Sequence, residues 1–262
     1  MISDCPRLDA DVDVESVEDH PDLYDWTYED YTEDLGYWSS IVGRERALEL
    51  GVGSGRVALP LAAFGARIIG LDRSPNMLRA LAQRSIENDL RVSTVCASMH
   101  AIPLASTSLE LIICPFGALN YCLTQAEVRS VLREVRRVLR PGGRFVFEAL
   151  AWSTWPAWLA NDGRDHLVKS RTKDGSTTSM SCQYSFDAAS GLAVQLRRYR
   201  RQDETGGVRV RTVRWVNRFV APSEWRLLLE AAGLTIEAEY GDYDGGPYRH
   251  ASEFYLVESR RG

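Results

Sequence analysis

A glycine-rich turn between a short apolar segment and a helix constrains this chain more than any other feature. Residues 47–50 are apolar except for one acid, Glu49, and three glycines follow at alternate positions within 51–55. Glycine at a strand-to-helix turn allows positive φ angles and lets a ligand lie against the main chain. A second apolar segment, residues 67–71, ends in Asp72. Because an acid at this place holds ribose hydroxyls in doubly wound α/β sheets, the sequence predicts a nucleoside-binding crevice.

The spacing of this turn separates two kinds of cofactor. A dinucleotide-binding turn needs its third glycine three residues after the second, and that position is occupied by Arg56. The pattern is instead acid-x-Gly-x-Gly-x-Gly. Together with Asp72 it resembles the first motifs of class I S-adenosylmethionine-dependent methyltransferases, and the resemblance covers about residues 45–150 and 222–258. A nicotinamide-dependent oxidoreductase is disfavoured by Arg56.

The resemblance implies S-adenosyl-L-methionine as the cofactor and gives a set of residues that would bind it. The glycine-rich turn would surround its amino-acid end, and Asp72 would accept both ribose hydroxyls. Ser98 stands in the next motif, where the family usually has an acid. The predicted cofactor-binding residues are Glu49, Gly51, Gly53, Gly55, Asp72, Arg73, Met77, Ser98, Met99, Pro115, Phe116, Tyr24 and Tyr31.

Alternating strand and helix patterns predict the fold class. We expect an α/β protein with a Rossmann-like seven-stranded sheet, helices on both faces, an inserted three-stranded antiparallel meander and an N-terminal lid. Ser74 and Thr124 are predicted helix N-caps, the second within a capping box, and Pro141-Gly142-Gly143 is predicted to end a helix. The predicted strands are 46–50, 67–71, 91–96, 109–114, 144–150, 179–186, 192–202, 208–219, 234–240 and 252–258, and the predicted helices include 55–64, 75–89 and 223–232.

The same patterns divide the chain into four parts. Residues 1–43 are an acidic tail followed by an aromatic lid and a helix near 31–42, and residues 1–22 are expected to be solvated. Residues 44–150 are the cofactor-binding core. Residues 151–221 are the inserted antiparallel subdomain on the substrate side, and residues 222–262 complete the core sheet.

Composition excludes several classes of partner. A net charge of −5 argues against a general nucleic-acid binder, and the longest apolar runs are far too short to cross a bilayer. The five cysteines contain no C-x-x-C pair, so we expect reduced thiols and no metal site. The first residues lack the basic and apolar regions of an export signal. We therefore expect a cytoplasmic protein with a small-molecule partner; homo-oligomer formation stays open.

Three residues are candidates for catalysis. The loop 115–121 would face the transferable methyl group and resembles that of small-molecule N-methyltransferases acting on glycine and on amino-sugars. Asn120 and Tyr121 lie in this loop, and Tyr121 takes the place of a histidine found in some of those enzymes. A phenol is a poor base near neutral pH, so we expect Tyr121 to orient the acceptor. His250 lies in another loop at the predicted site and is the candidate base.

Aromatic side chains are the candidates for binding the acceptor. Trp152, Trp155 and Trp158 follow the fifth strand, and we assign Trp152, Trp155, Tyr121 and Tyr248 to the acceptor. Eight arginines lie within 197–218, and one or two of them could bind a carboxylate or phosphate of the acceptor. The alternative is that they are solvated charges.

These features predict a methyltransferase that acts on an amine of a small molecule, such as an amino-sugar, an amino-acid-derived compound or another secondary metabolite. In-line displacement at the sulfonium needs mainly correct positioning of the two reactants. O-methylation is the alternative reaction, because fold and cofactor motifs do not decide the accepting atom. A non-catalytic cofactor-binding protein is the alternative from another class.

Overall fold

The core of the protein is a seven-stranded sheet whose central strands are parallel. The computed structural model describes residues 14–151 and 164–262. In spatial order, the strands are β11 (Leu234–Tyr240), β12 (Phe254–Arg261), β6 (Leu139–Leu150), β5 (Leu109–Cys114), β2 (Arg46–Leu50), β3 (Arg67–Asp72) and β4 (Ser93–Cys96). Strands β6, β5, β2, β3 and β4 run parallel, whereas β12 pairs antiparallel with both β6 and β11. The predicted Rossmann-like sheet is confirmed.

Helices cover both faces of this sheet, because the central strands are apolar on both sides. The helices are α1 (Pro21–Tyr28), α2 (Leu35–Val42), α3 (Ala58–Ala63), α4 (Pro75–Glu87), α5 (Gln125–Val138) and α6 (Pro222–Ala231). Leu48 and Leu50 of β2 pack with α5 and α6, whereas Ala47 packs with α2, α3 and α4. Each leucine buried in this way contributes about 1.5–3 kcal/mol to the free energy of unfolding.

Two helix starts follow the predicted caps. The Ser74 hydroxyl accepts a hydrogen bond from the Met77 amide at 3.2 Å, and Pro75 is the first residue of α4. At α5, the Thr124 hydroxyl accepts from the Glu127 amide at 3.2 Å, while the Glu127 carboxylate accepts from the Thr124 amide at 2.8 Å. Both predicted N-caps are therefore confirmed, and the cap at Ser74 places the start of α4 directly after the end of β3.

Strand β6 begins earlier than predicted. Leu139 already pairs with Leu109 of β5, and the next pairing joins Arg144 to Leu111. The Pro141-Gly142-Gly143 segment therefore lies in a bulge inside the strand rather than before it. Pro141 has no amide hydrogen to donate, and Gly142 has a φ of 76°, so this segment cannot continue a regular ladder.

A second sheet contains the three strands predicted for the meander and two more. In spatial order its strands are β1 (Val14–Ser16), β10 (Val208–Arg218), β9 (Leu192–Gln202), β8 (Ser176–Asp187) and β7 (His166–Lys173). Strand β7 is exposed on both faces and so lacks the alternation that predicts a strand. Strand β1 is only three residues long and pairs parallel with β10. Within the described residues, the insertion therefore contributes four strands rather than the three predicted, and the N-terminal segment contributes the fifth, β1.

Residues 14–22 are folded against the rest of the protein, so the expectation of a solvated tail was wrong for these residues. Val17 is buried, and Glu18 forms an ion pair with Arg73 beside the tip of β3. The helix expected near 31–42 is present as α2, and α1 is an additional helix before it. Asp25 of α1 accepts a hydrogen bond from Arg84 of α4 at 2.9 Å, so α1 is tied to the core.

Within the described ranges, no helix is both long enough and apolar enough to cross a bilayer. The same ranges contain no group of three or more His, Cys, Asp or Glu side chains arranged to hold a metal ion.

Candidate functional site

A cavity of about 680 Å³ lies between the carboxyl ends of the parallel strands, the second sheet and the N-terminal segment. Its core side is lined by Gly51, Gly53, Asp72, Met77 and Ser98. Its sheet side is lined by Tyr121, Tyr184, Gln195, Arg197 and Trp215. The N-terminal segment adds Val17, Glu18, Tyr24, Tyr28 and Tyr31. Ligand sites in open α/β sheets occur at this edge, where the parallel strands end.

The three glycines of the turn have different surroundings. Gly51, Gly53 and Gly55 have φ angles of 69°, 54° and 89°, which residues with a side chain rarely adopt. A Cβ atom on Gly51 would lie 2.7 Å from that of Ala118, and one on Gly55 would clash with Leu81. A Cβ atom on Gly53 would meet nothing within 4 Å. The backbone at Gly53 is therefore open to a ligand, whereas Gly51 and Gly55 are required for packing.

Asp72 connects the tip of β3 to this turn. One carboxylate oxygen accepts a hydrogen bond from the Gly53 amide at 2.9 Å, and the other accepts from the Ser74 amide at 2.8 Å. Burial raises the pKa of Asp72, and the two amide hydrogen bonds oppose that rise. A carboxylate has about four acceptor sites, so two remain for hydroxyl groups of a ligand.

A buried polar cluster includes Glu49 of the turn motif. The Oε2 atom of Glu49 has no hydrogen-bond partner among the described residues, and burial raises the pKa of Glu49 to about 8. Both terminal nitrogens of Arg56 donate to the Asp34 carboxylate, at 2.9 and 2.7 Å. The Nε atom of Arg56 is buried and has no partner among the described residues. Neither Glu49 nor Gly55 is among the residues that line the cavity.

Met77, Ser98 and Met99 line the cavity as the motif order predicts. Met77 is buried against the aromatic cluster of the N-terminal segment. The Ser98 hydroxyl accepts a hydrogen bond from the His100 amide at 3.3 Å. Arg73 also lines the cavity, but its guanidinium donates to Glu18, at 2.7 Å from Nε.

The loop after β5 brings Pro115 and Phe116 to the cavity wall. Phe116 has a φ of 55°, and its amide donates to Oε2 of Glu148 at 3.1 Å. The guanidinium of Arg56 lies 4.1 Å from the centre of the Phe116 ring. Glu148 also lines the cavity, and burial raises its pKa to about 7.

Asn120 and Tyr121 have different environments although they are adjacent. Asn120 is fully buried, donates to the Arg218 carbonyl at 2.7 Å and accepts from the Leu150 amide at 3.0 Å. It does not line the cavity and holds the loop to β6 and β10. Tyr121 lines the cavity, with its ring 6.4 Å from that of Trp215. Burial raises the pKa of Tyr121 well above its ordinary value, so the phenol is neutral near pH 7.

Tyr24 and Tyr31 reach the cavity from the N-terminal segment. The Tyr24 ring stacks on Trp215 with 6.2 Å between centroids and an interplanar angle of 10°. The Tyr31 hydroxyl lies 3.0 Å from that of Tyr243, and its carbonyl accepts from Arg56 at 3.3 Å. Tyr24 therefore contacts the second sheet, whereas Tyr31 contacts the core.

The remaining predicted residues lie elsewhere. His250 is exposed and is not among the cavity lining, and Tyr248 packs edge-on against Tyr255 with ring centroids 4.9 Å apart. Trp152, Trp155 and Trp158 lie outside the described residues. The assignments of these residues to catalysis and acceptor binding stay predictions.

Several lining residues were not singled out from the sequence. The lining also contains Glu18, Glu148, Tyr184, Gln195, Asn217 and Glu253. Tyr28 and Arg197 belong to groups noted in the sequence, but nothing distinguished them from their neighbours, and Trp215 was not singled out at all. Glu148 is an acid near the end of the predicted strand 144–150, and this position could have identified it as a site residue. The lining residues of the second sheet could not be predicted without knowing which face of each strand packs against the core.

Comparison with known proteins defines the class. Residues 47–143 match the protein family described as Methyltransferase domain. The ubiquinone/menaquinone biosynthesis C-methyltransferase UbiE of Syntrophotalea carbinolica is 34% identical over 119 residues, which are 45% of this chain and 48% of that protein. The chain spans about half the length of the curated relatives it matches.

Solved structures resemble the chain over most of its length. The sugar N-methyltransferase KedS8 from a Streptoalloteichus species has a TM-score of 0.73 at 20% identity, over 100% of this chain and 99% of that one. S-adenosylmethionine-bound CalS10, an amino pentose methyltransferase from Micromonospora echinaspora, has a TM-score of 0.71 at 19% identity, over 92% of this chain and 97% of that one. These similarities establish the fold.

Residues 47–143 therefore form a methyltransferase domain, and the chain has the fold of class I S-adenosylmethionine-dependent methyltransferases. S-adenosylmethionine is the cofactor of this class, and the residues present fit it. The unpartnered oxygen of Glu49, just before the glycine-rich turn, can accept from its ammonium group. Asp72 retains acceptor sites for the ribose, and Gly53 leaves its backbone open. When bound, the cofactor supplies an electrophilic methyl group on a positively charged sulfur.

Proposed function

We propose that the protein transfers a methyl group from S-adenosylmethionine to an amine of a small-molecule acceptor. The observation that carries this proposal is that the core side and the sheet side belong to one continuous cavity. A cofactor held by Asp72 and Gly53 would share this cavity with an acceptor placed against Tyr121 and Trp215. At about 680 Å³ the cavity has the size typical of small-molecule sites.

The chemistry of the lining favours an amine over an alcohol. A neutral amine attacks the methyl group with its lone pair and needs only to be deprotonated beforehand. Glu148, with a pKa raised to about 7, can hold such a proton near neutral pH. An alcohol needs a much stronger base, and the high pKa of Tyr121 keeps that phenol protonated. The aromatic rings of Tyr28 and Trp215 line the cavity and exclude water from it.

Amino-sugars, amino-acid-derived compounds and other secondary metabolites are the acceptor classes that we propose. KedS8 and CalS10 are described as sugar methyltransferases, and their likeness in fold supports a small-molecule acceptor. UbiE is described as a C-methyltransferase, so sequence similarity does not identify the accepting atom, and an experiment has to determine it. A cytoplasmic location, with neither nucleic acid nor membrane as partner, stays a prediction from the sequence.

The test is transfer of label from S-adenosylmethionine carrying a ¹³C methyl group into a metabolite extract and a panel of amines. The chemical shift of the labelled carbon distinguishes a methyl group on nitrogen from one on oxygen or carbon. We expect label on nitrogen, and loss of labelling in Asp72→Ala. Label only on oxygen or carbon would refute the amine assignment. Tight binding of S-adenosylhomocysteine without label transfer to any acceptor would favour the non-catalytic alternative.

A further inference from the structure

Arg197 is a buried cation on the sheet side of the cavity. It lies on β9, the middle strand of the second sheet, and only 8% of its surface is exposed. Its position among the lining residues places it opposite the core, where the turn and Asp72 lie. The neighbouring Arg198 points to the other face of the sheet, as strand alternation requires, and forms an ion pair with Asp165.

Among the described residues, the hydrogen-bond and ring contacts of Arg197 are all with neutral groups. Its Nε and one terminal nitrogen donate to the Gln195 side-chain oxygen at 3.1 and 2.9 Å. The other terminal nitrogen donates to the Tyr28 hydroxyl at 2.9 Å. The guanidinium lies 3.8 Å from the centre of the Trp215 ring. No carboxylate of the described residues lies within 4 Å of it, whereas the other strongly buried arginine of the site, Arg56, is paired with Asp34.

A charge in this position is costly without a counter-charge. Arginine cannot lose its proton in a protein, and burial removes the water that would solvate it. Its guanidinium has five N–H donors, and three of them form hydrogen bonds to side chains in the part of the protein that the structure describes. The two remaining donors belong to the two terminal nitrogens, one to each. Arg197 is therefore fixed in orientation by Gln195 and Tyr28 while retaining donors for an anion.

We propose that Arg197 binds a carboxylate of the acceptor, so that the substrate class is amines that carry a carboxylate, such as amino acids and their derivatives. The inference rests on the proposed function. One guanidinium with two remaining donors matches the single charge and two oxygens of a carboxylate. Two of the carboxyl groups that line the cavity from the core, those of Glu148 and Glu253, suit the amine of the same molecule.

Phosphate is the other oxyanion that an arginine binds, and the geometry favours carboxylate. A phosphate monoester carries nearly two charges near neutral pH. Arg73, the other arginine among the lining residues, is already paired with Glu18. A phosphate at Arg197 would therefore be only partly neutralised.

The test compares benzoate with its neutral isostere benzamide, because the two have the same size and both suit an aromatic cavity. Binding to the full-length protein saturated with S-adenosylhomocysteine is measured by titration calorimetry. We expect benzoate to bind about 10- to 100-fold more tightly than benzamide, the range for hydrogen bonds to charged groups. Equal affinities in the unmodified protein would overturn the proposal without any variant. Phenyl phosphate binding more tightly than benzoate would overturn the choice of carboxylate.

Variants locate the effect. Arg197→Gln should remove the preference for benzoate while leaving S-adenosylhomocysteine affinity within about twofold, and Arg197→Lys should retain part of it. The matched control Arg198→Gln should retain it in full. A preference that persists in Arg197→Gln would overturn the assignment.

Failure of the proposed function has a separate signature. If benzoate is preferred but no amine receives label, the amine-methylation proposal fails and the carboxylate site stands. If amines are methylated but carboxylate-bearing amines have no advantage in KM over their amides, the function stands and the assignment of Arg197 fails.

Discussion

Asp72 should contribute more to cofactor affinity than any other polar side chain on the core side. Its two oxygens each accept one amide hydrogen bond and retain acceptor sites for two ribose hydroxyls. A hydrogen bond to a charged group contributes about 1.5–3 kcal/mol, so two contribute about 3–6 kcal/mol. Replacing Asp72 with Ala should therefore weaken binding about 10²- to 10⁴-fold.

Titration calorimetry with S-adenosylhomocysteine measures this loss without requiring an acceptor. Ser98→Ala is the matched comparison, because Ser98 lines the same side of the cavity with a neutral hydroxyl. A neutral hydrogen bond contributes about 0.5–1.5 kcal/mol, so this variant should lose about tenfold or less. Circular dichroism and the melting temperature report whether each variant is folded. A folded Asp72→Ala protein that loses less affinity than Ser98→Ala would refute the reasoning.

Three other predictions concern stability and pH. Gly55→Ala should lower the melting temperature far more than Gly53→Ala, because its Cβ would clash with a leucine of α4 whereas that of Gly53 meets nothing within 4 Å; calorimetric scans measure both. Asp34→Asn should cost about 3–5 kcal/mol in urea unfolding, because it leaves the buried guanidinium of Arg56 without its counter-charge. Glu148 has a folded-state pKa of about 7, above its ordinary value, so its stabilising contribution is complete at acid pH and is lost as pH rises through 7. The unfolding free energy of Glu148→Gln should therefore fall less than that of the unmodified protein between pH 5 and pH 8, as measured by urea titration at each pH.

Each of these three predictions has a control or an outcome that would contradict it. Glu110→Gln removes an exposed ion pair with Arg140 and should change stability by less than about 1 kcal/mol, so an equal effect of Asp34→Asn would contradict the account of the buried pair. Equal melting temperatures for the two glycine variants would contradict the distinction between packing and exposed backbone. Parallel pH curves for Glu148→Gln and the unmodified protein would show that Glu148 is not responsible.

Local patterns were sufficient to predict the core side of the site. The glycine-rich turn, Asp72 and the caps at Ser74 and Thr124 each depend on neighbouring residues, and their geometry follows from short-range sterics and hydrogen bonding. The bulge at Pro141 was harder to predict, because a Pro-Gly-Gly run that breaks a ladder also ends a helix.

The sheet side depends on contacts between distant parts of the chain. Arg197 and Arg198 are equivalent in the sequence, and only the packing of the second sheet against the core decides which one faces the cavity. Strand β1 has three residues and no pattern of its own, and its pairing with β10 joins positions about two hundred residues apart. Tyr28 and Trp215 meet for the same reason.

Helix α1 contacts both sides of the cavity. Asp25 holds it to Arg84 of the core, and Tyr28 holds it to Arg197 of the second sheet. If binding on the core side of the cavity moves this helix, the free energy of binding on the sheet side must therefore change as well. Thermodynamic reciprocity makes the two effects equal, so the factor by which nucleoside tightens acceptor association is the factor by which acceptor tightens nucleoside association. This helix of eight residues is thus the element through which cofactor and acceptor binding would be coupled.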